Sequence, residues 1–324
     1  MNRLAFLALL GLVIQNTALA ILLKFSFRKT ADSYAPTTVV LTTEILKLLV
    51  CGLVTSQRSF RDLVVAITTI GEQGTLFVPS LLYVIQNNLL FYGAQRLSSV
   101  VYIVCTQTKI LTTAIISKVM LGTKLNAKQY LALIFLVFGV VIVQAPNASP
   151  TAARQGRTEL IGVAAVLLAS LTSGAAGVIL EKLFKEHVTR SSKVEHTVWT
   201  RNVQLSLISL PFACFGVYSQ SLDQVMVNGF FSGYDAVVWS IVLLQAFGGV
   251  IIGFVMKFAS NILKCFAVAL SICFCAVYSV ATGDIHVSAS LLLGLFLVNG
   301  SVITYSLSPS HVNIIPVNTS EHKK

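Results

Sequence analysis

The stretch "CTQTKILTTA", Cys105 to Ala114, puts a lysine in the middle of a membrane-length run. Between Ser99 and the flanking Lys118, Lys109 is the only charge. A cation at bilayer mid-depth costs about 2.5–3.5 kcal/mol on insertion scales. If this run is a span, something inside the protein must compensate Lys109. Composition decides that it is a span. Of 324 residues, 55% are hydrophobic and only 11% charged, where a soluble domain carries about 25% charged residues. Mean hydropathy is +0.82. The chain reads as an integral membrane protein over its whole length.

Outward from Lys109, windows of membrane length predict ten spans: 4–23, 35–54, 76–95, 98–118, 128–144, 159–180, 197–218, 236–256, 262–281 and 287–306. The connections are short, the longest being 55–75, 145–158, 181–196 and 219–235. Arg3 and the following apolar run to "ALA" (Ala18–Ala20) have the shape of a signal peptide. The run continues through "ILLKF" and takes part in a repeat, so it is read as a retained first span.

The two halves resemble each other. "ILLKFSFRK" (Ile21–Lys29) aligns with "VILEKLFKE" (Val178–Glu186), "SSVVY" (Ser98–Tyr102) with "SNILK" (Ser260–Lys264), and "FLVFG" (Phe135–Gly139) with "FLVNG" (Phe296–Gly300). Five spans per half is an odd number, so the second half must enter the membrane inverted, a transporter architecture. The expected fold is an all-α membrane protein of ten transmembrane helices in two inverted five-helix repeats. Residues 1–150 form the first repeat, 151–310 the second, and 311–324 a tail. Arg3, Arg58, Arg61, Lys118, Lys124, Lys128 and the basic 181–196 segment fall on one side. That excess places both termini in the cytoplasm. The sequon at Asn147 is then on the opposite face, and the one at Asn318 is cytoplasmic.

Four cations remain inside the expected spans, Lys47, Lys109, Arg201 and Lys264, against one acid, Glu44. A cation exporter or a carboxylate proton relay would show the opposite sign. An excess of interior positive charge points to an anionic ligand. Lys47 has a structural alternative, an ion pair with Glu44 one helical turn earlier. Arg201 and Lys264 lie near span ends, where long side chains snorkel. Lys109 has no such alternative. Tyr102, Thr106 and Lys109 share a helical face, as do Tyr83 and Asn87; Ser173, Asn202 and Asn261 add polar groups. Lysines suit phosphate, amides suit base edges, and tyrosines stack on a base or bond a sugar. "SGAAG" and "GGVIIG" are read as sites of close helix approach.

Several classes are excluded. The formal charge of +11 is spread over short loops rather than a basic stripe, so nucleic acid is no partner. No phosphate-binding loop supports an ATP-driven pump, and no zinc spacing or catalytic motif is present. A membrane enzyme would need paired acids or metal carboxylates at depth. The six cysteines lie in apolar runs and read as packing residues.

The stretches "YVIQNNLLFYGAQRLSSVVYIVCTQTKILTTA", "TEILKLL", "SGAAGVILEKLFK", "VWTRNVQLSL" and "KFASNILKCFAVALS" resemble, in order, the nucleotide-sugar transporter family. The resemblance is to the branch that carries CMP-sialic acid, UDP-galactose and UDP-N-acetylglucosamine, and is nearest to plant CMP-sialic-acid-transporter-like members. It implies a drug/metabolite transporter fold and a multi-pass Golgi membrane protein. It also implies antiport of a nucleotide sugar, CMP-sialic acid first, for the matching monophosphate, CMP. A UDP-galactose-type carrier, or a carrier of other organic phosphates or drugs, is the alternative. The substrate-binding residues it implies are Lys47, Tyr83, Asn87, Tyr102, Lys109, Ser173, Asn202 and Lys264. Asn261 joins them from the residue reading, with Glu44, Thr106 and Arg201 in support. The sequence departs from the family pattern at Cys105, Thr106 and Ser206, which leaves the sugar open. The expected partners are a nucleotide sugar, a nucleoside monophosphate and the lipid bilayer, with homodimer formation left open. No cofactor or metal is expected.

Overall fold

Residues 3–30, 34–68, 76–94, 96–97, 99–144, 157–190, 194–283 and 287–308 are described by a computed structural model. They form twelve helices and no strand: α1 (Arg3–Thr30), α2 (Pro36–Arg58), α3 (Phe60–Thr68), α4 (Phe77–Ala94), α5 (Ser99–Leu121), α6 (Ala127–Gln144), α7 (Arg157–Arg190), α8 (Val194–Gln220), α9 (Leu222–Asn228), α10 (Ala236–Phe258), α11 (Asn261–Ala281) and α12 (Ala289–Leu307). Both sequons and the 311–324 tail lie outside the described residues.

Local chemistry sets several helix starts. Asp235, Ser260 and Ser288 each cap a helix, their side-chain oxygens accepting from the backbone N–H of Val238, Leu263 and Leu291. Pro36 opens α2, where a missing N–H costs nothing. Ser59 separates α2 from α3 and accepts from the Asp62 N–H at 3.2 Å.

The ten expected windows each fall on a helix. The stretches read as connections at 55–75 and 219–235 carry α3 and α9, and α9 turns 78° from α8. α7 also runs ten residues past the expected end at 180, because the window stopped at the first charge, Glu181. Five helices are long and apolar enough to cross a bilayer: the first 21 residues of α1, then α2, α7, α10 and α11. The broken pair α8–α9 passes the same test as one unit, and α6 and α12 are shorter apolar helices. Large apolar side chains such as Val119, Leu160, Phe215 and Phe296 point outward, 66–80% exposed. The chain is a multi-pass membrane protein, and lipid is the solvent that tolerates such a surface.

The helices pair in a regular way. α1 packs on α10 and α11, while α7 packs on α4 and α5; α2 packs on α8, and α6 on α12. The largest apolar cluster joins α5, α6, α11 and α12 through residues including Ile110, Leu133, Leu136, Val140, Phe266 and Val298.

α6 and α12 cross with their backbones close together. A Cβ on Gly139 would lie 2.8 Å from Val298 Cγ2 and 2.9 Å from its backbone nitrogen. A Cβ on Gly294 would lie 2.7 Å from Val143 Cγ2 and 3.0 Å from its nitrogen. Each glycine thus receives a valine four residues beyond the other, so the two backbones touch. Lipid supplies no hydrophobic drive between helices, and van der Waals contact of this kind holds them. Gly139→Leu and Gly294→Leu should each lower stability by about 1–3 kcal/mol through overpacking. Gly300→Ala, with no neighbouring atom within 4 Å, should not. Thermal unfolding in detergent reads the difference.

Candidate functional site

Lys109 is held in place by the seam between α5 and α7. The Thr112 hydroxyl reaches the carbonyls of Ser170 at 3.0 Å and Lys109 at 3.1 Å. The Ser170 hydroxyl donates to the Cys105 carbonyl at 3.2 Å. These bonds bracket Lys109 and fix α5 in register with α7. Close approach needs Gly174, since a Cβ there would sit 3.1 Å from Thr112 Oγ1 and from the Thr113 nitrogen. Both glycines of "SGAAG" are therefore packing residues, Gly177 lying against the Asn261 amide.

The other side of the site is the start of α11. The Asn261 backbone N–H donates to Glu181 Oε2 at 2.8 Å, and Lys185 bonds the other carboxylate oxygen. Glu181 is 1% exposed. A carboxylate at a helix N-terminus meets the positive end of its dipole and satisfies an orphan donor. This contact sets where Asn261 and Lys264 project. Glu181 was not among the expected interior charges, nor was Lys257, which is buried in the last turn of α10. One acid and one base join the inventory together, so the interior excess of positive charge stands. Leu180, Leu183 and Phe184 keep helical spacing across Glu181, a signal that could have extended α7.

Between these walls lies a cavity of about 100 Å³. Its polar lining is Gln107, Lys109, Thr113, Ser173, Asn261 and Lys264, over Ile110, Val140, Ala269 and Ile272. No acid lines it, and neither lysine has an ion-pair or hydrogen-bond partner among the described residues. Four expected site residues, Lys109, Ser173, Asn261 and Lys264, thus meet in one place. Lys264 faces the cavity rather than snorkelling. Gln107 and Thr113 were not among the expected residues: Thr113 continues the Tyr102, Thr106 and Lys109 stripe by one turn, a signal that could have found it, whereas Gln107 lies off that face. Pockets that enclose a drug-sized ligand measure about 300–1,000 Å³, so this cavity is smaller than such a ligand needs.

The remaining expected residues lie elsewhere. Lys47 forms its ion pair with Glu44 at 2.8 Å and its stem rests on Gly249. The Asn202 amide donates to the Val198 carbonyl at 2.9 Å and lies against Gly253, so "GGVIIG" also marks close packing. Arg201 does not snorkel. It is 7% exposed and donates to Gln204 Oε1 at 3.1 Å, and Gln204 donates to the Ala66 carbonyl of α3 at 3.3 Å. Tyr102 packs with Leu97, Cys105 and Val166. Tyr83 on α4 and Thr106 on α5 are half-buried. Asn87 falls on α4, and its side chain lies outside the described residues. Of the departures from the family pattern, Cys105 lies in the Tyr102 cluster and Ser206 is fully buried; neither lines the cavity.

The family profile described as nucleotide-sugar transporter matches residues 1–306. A UDP-N-acetylglucosamine/UDP-N-acetylgalactosamine transporter of Caenorhabditis elegans is 35% identical, over 95% of each chain. A UDP-N-acetylglucosamine transporter of Rattus norvegicus is 35% identical over 95% of this chain and 96% of its own. A UDP-galactose translocator of Homo sapiens is 37% identical over 94% of this chain and 78% of its own. One protein crystal structure superposes at a TM-score of 0.63 and 12% identity, covering 94% of this chain and 98% of its own. That likeness concerns the fold alone.

The Glu181 contact yields a stability prediction. Glu181→Ala removes the charged acceptor of the Asn261 N–H and the partner of Lys185. A hydrogen bond to a charged group contributes about 1.5–3 kcal/mol, and a loss of that size is expected. Glu181→Gln keeps an acceptor and should lose less. Thermal unfolding of the two purified variants gives the order, and equal loss would refute the capping role.

Proposed function

The chain belongs to the nucleotide-sugar transporter family, and on that premise we propose that it exchanges a UDP-sugar for a nucleoside monophosphate across the Golgi membrane. It is a transporter, not an enzyme. The expected cargo changes: relatives 35–37% identical to this chain are named for UDP-N-acetylglucosamine, UDP-N-acetylgalactosamine and UDP-galactose. CMP-sialic acid gives way to a UDP-sugar, the reading first held as the alternative.

The observation that carries the proposal is the cavity in which Lys109 and Lys264 face each other's field with no acid in the lining. Two ammonium groups in low dielectric need about two negative charges. The diphosphate of a UDP-sugar supplies two, and a nucleoside monophosphate supplies about 1.5 to 2 near neutral pH. Cargo and counter-cargo thus match the same pair of cations. Ser173 and Thr113 offer hydroxyls beside them. The cavity is smaller than such a cargo needs, so cargo enters a more open state in which Lys47, Tyr83, Asn87, Tyr102 and Asn202 join the contact. The base then lies toward α4, and Glu44, Thr106 and Arg201 support the site.

The pairing of helices supports two inverted repeats, residues 1–150 and 151–310. Exchanging the halves turns the α1 contacts with α10 and α11 into the α7 contacts with α4 and α5. It also maps the α2–α8 and α6–α12 pairs onto themselves. The short helices α3 and α9 follow α2 and α8 in the same way. Ten helices then span, and loop charge places both termini in the cytoplasm. A carrier of this symmetry alternates by rocking one half on the other around a fixed site.

Exchange follows from the charge. An empty carrier must reorient two unneutralised ammonium groups through low dielectric, whereas a loaded one carries its compensation. Liposomes preloaded with UMP should take up labelled UDP-sugar or UMP at least tenfold faster than empty liposomes, and should outpace CMP-loaded ones. The gain should survive collapse of any pH gradient. Equal uptake by empty and loaded vesicles would defeat the exchange mechanism, and a CMP preference would return the cargo to CMP-sialic acid.

Lys109→Ala and Lys264→Ala should each abolish stabilisation by UMP in thermal shift while the empty variant stays folded. Removing an unpaired buried cation leaves the empty protein no less stable. Undiminished ligand stabilisation in both variants would remove the lysines from the site.

A further inference from the structure

Gln107 has no role in the reading so far. It lies on α5 two residues before Lys109, is 7% exposed, and lines the cavity. Its amide has no hydrogen-bond partner among the described residues. Asn261, across the cavity on α11, is 2% exposed, and its side-chain oxygen is also without a partner. A buried polar group left unsatisfied is costly. Two amides lining one cavity from opposite helices point to a ligand that bonds both.

The chemistry of the atoms narrows what that ligand group is. An ammonium only donates, and an ionised phosphate only accepts, so Lys109 and Lys264 suit the phosphates fully. An amide both donates and accepts. Its carbonyl oxygen finds nothing to accept from on a phosphate, but it does on a hydroxyl or an acetamido N–H. The uracil edge also carries an N–H, yet α4, toward which the base is placed, contributes no residue to this lining. Ribose also carries hydroxyls, but it lies between base and phosphates, on the α4 side, so the group left to meet the amides is the hexose on the far side of the diphosphate.

We propose that Gln107, with Asn261, reads the sugar of the cargo, bonding its hydroxyl or acetamido groups while Lys109 and Lys264 hold the phosphates. The proposal rests on the assignment of this cavity as the nucleotide-sugar site. A pocket built to bond a hydroxyl penalises a cargo that lacks it, because its own buried groups are then left unpaired. Gln107 is thus a specificity residue, and it acts on the sugar more than on the counter-transported monophosphate, which has no hexose.

The test measures inhibition of labelled UMP exchange in liposomes by UMP, UDP-galactose, UDP-N-acetylglucosamine and UDP-glucose. Parent, Gln107→Leu and Gln107→Met are compared, the second variant keeping the side-chain length. The inhibition constants for the UDP-sugars should rise about tenfold more than that for UMP, and the ranking of the three sugars should change. The melting temperature of the empty variants should not fall, since an unpaired polar group has been replaced by an apolar one. Equal changes for UMP and the UDP-sugars, or no change for any, would overturn the sugar assignment. Lys109→Ala is run alongside. If it leaves UMP inhibition intact, the cavity itself is not the site, and that failure is distinct from the failure of Gln107.

Discussion

Two ammonium groups facing one cavity with no carboxylate between them is a costly arrangement inside an apolar bundle. Charge in low dielectric is stable only when paired, and Lys109 and Lys264 are not paired with each other's opposite. Contrast Lys47, which lies in the same protein with Glu44 at 2.8 Å. One lysine has its counter-ion built into the chain. The other two have none among the described residues, and it is this difference on which the proposal of an anionic cargo rests.

The rest of the bundle holds those two lysines where they are. α7 is the common support. Through Thr112 and Ser170 it fixes the register of α5 and hence of Lys109. Through Glu181 it caps α11 and hence aims Asn261 and Lys264. Gly174 and Gly177 let one helix approach both neighbours. In lipid, where association depends on contact and hydrogen bonds, small residues and buried caps do what an apolar core does in water. Glu181 belongs to this framework. Its charge is matched by Lys185 and by a helix N-terminus, so it does not offset the cavity lysines.

The crossing of α6 and α12 shows a second use of the same physics. Gly139 and Gly294 each accept a valine from the other helix, a reciprocal fit that fixes α6 against α12 at one place. The cavity lies beside this crossing, and Val140, one residue beyond Gly139, forms part of its wall.

The sequence by itself determined that this is a helical membrane protein, because apolar run length and low charge content are local quantities that need no partner to read. It pointed to an anionic ligand, since Lys109 in mid-span has no sequence neighbour to offset it. It also determined the packing glycines, which serve close approach wherever their helices go. It erred at Glu181 and Lys257, because both charges lie at the end of an apolar run, and hydropathy cannot see that a neighbouring helix will bury them. Only the tertiary structure decided which polar residues converge. Lys47, Tyr102 and Asn202 are as polar as Lys109, Ser173 and Lys264 and were equally legible, yet they face other helices. Gln107 joined the cavity although it does not share the Lys109 face, because α11 and α6 close over that side of α5. Convergence depends on how α7 sets the rotation and register of its neighbours, and no single helix carries that information.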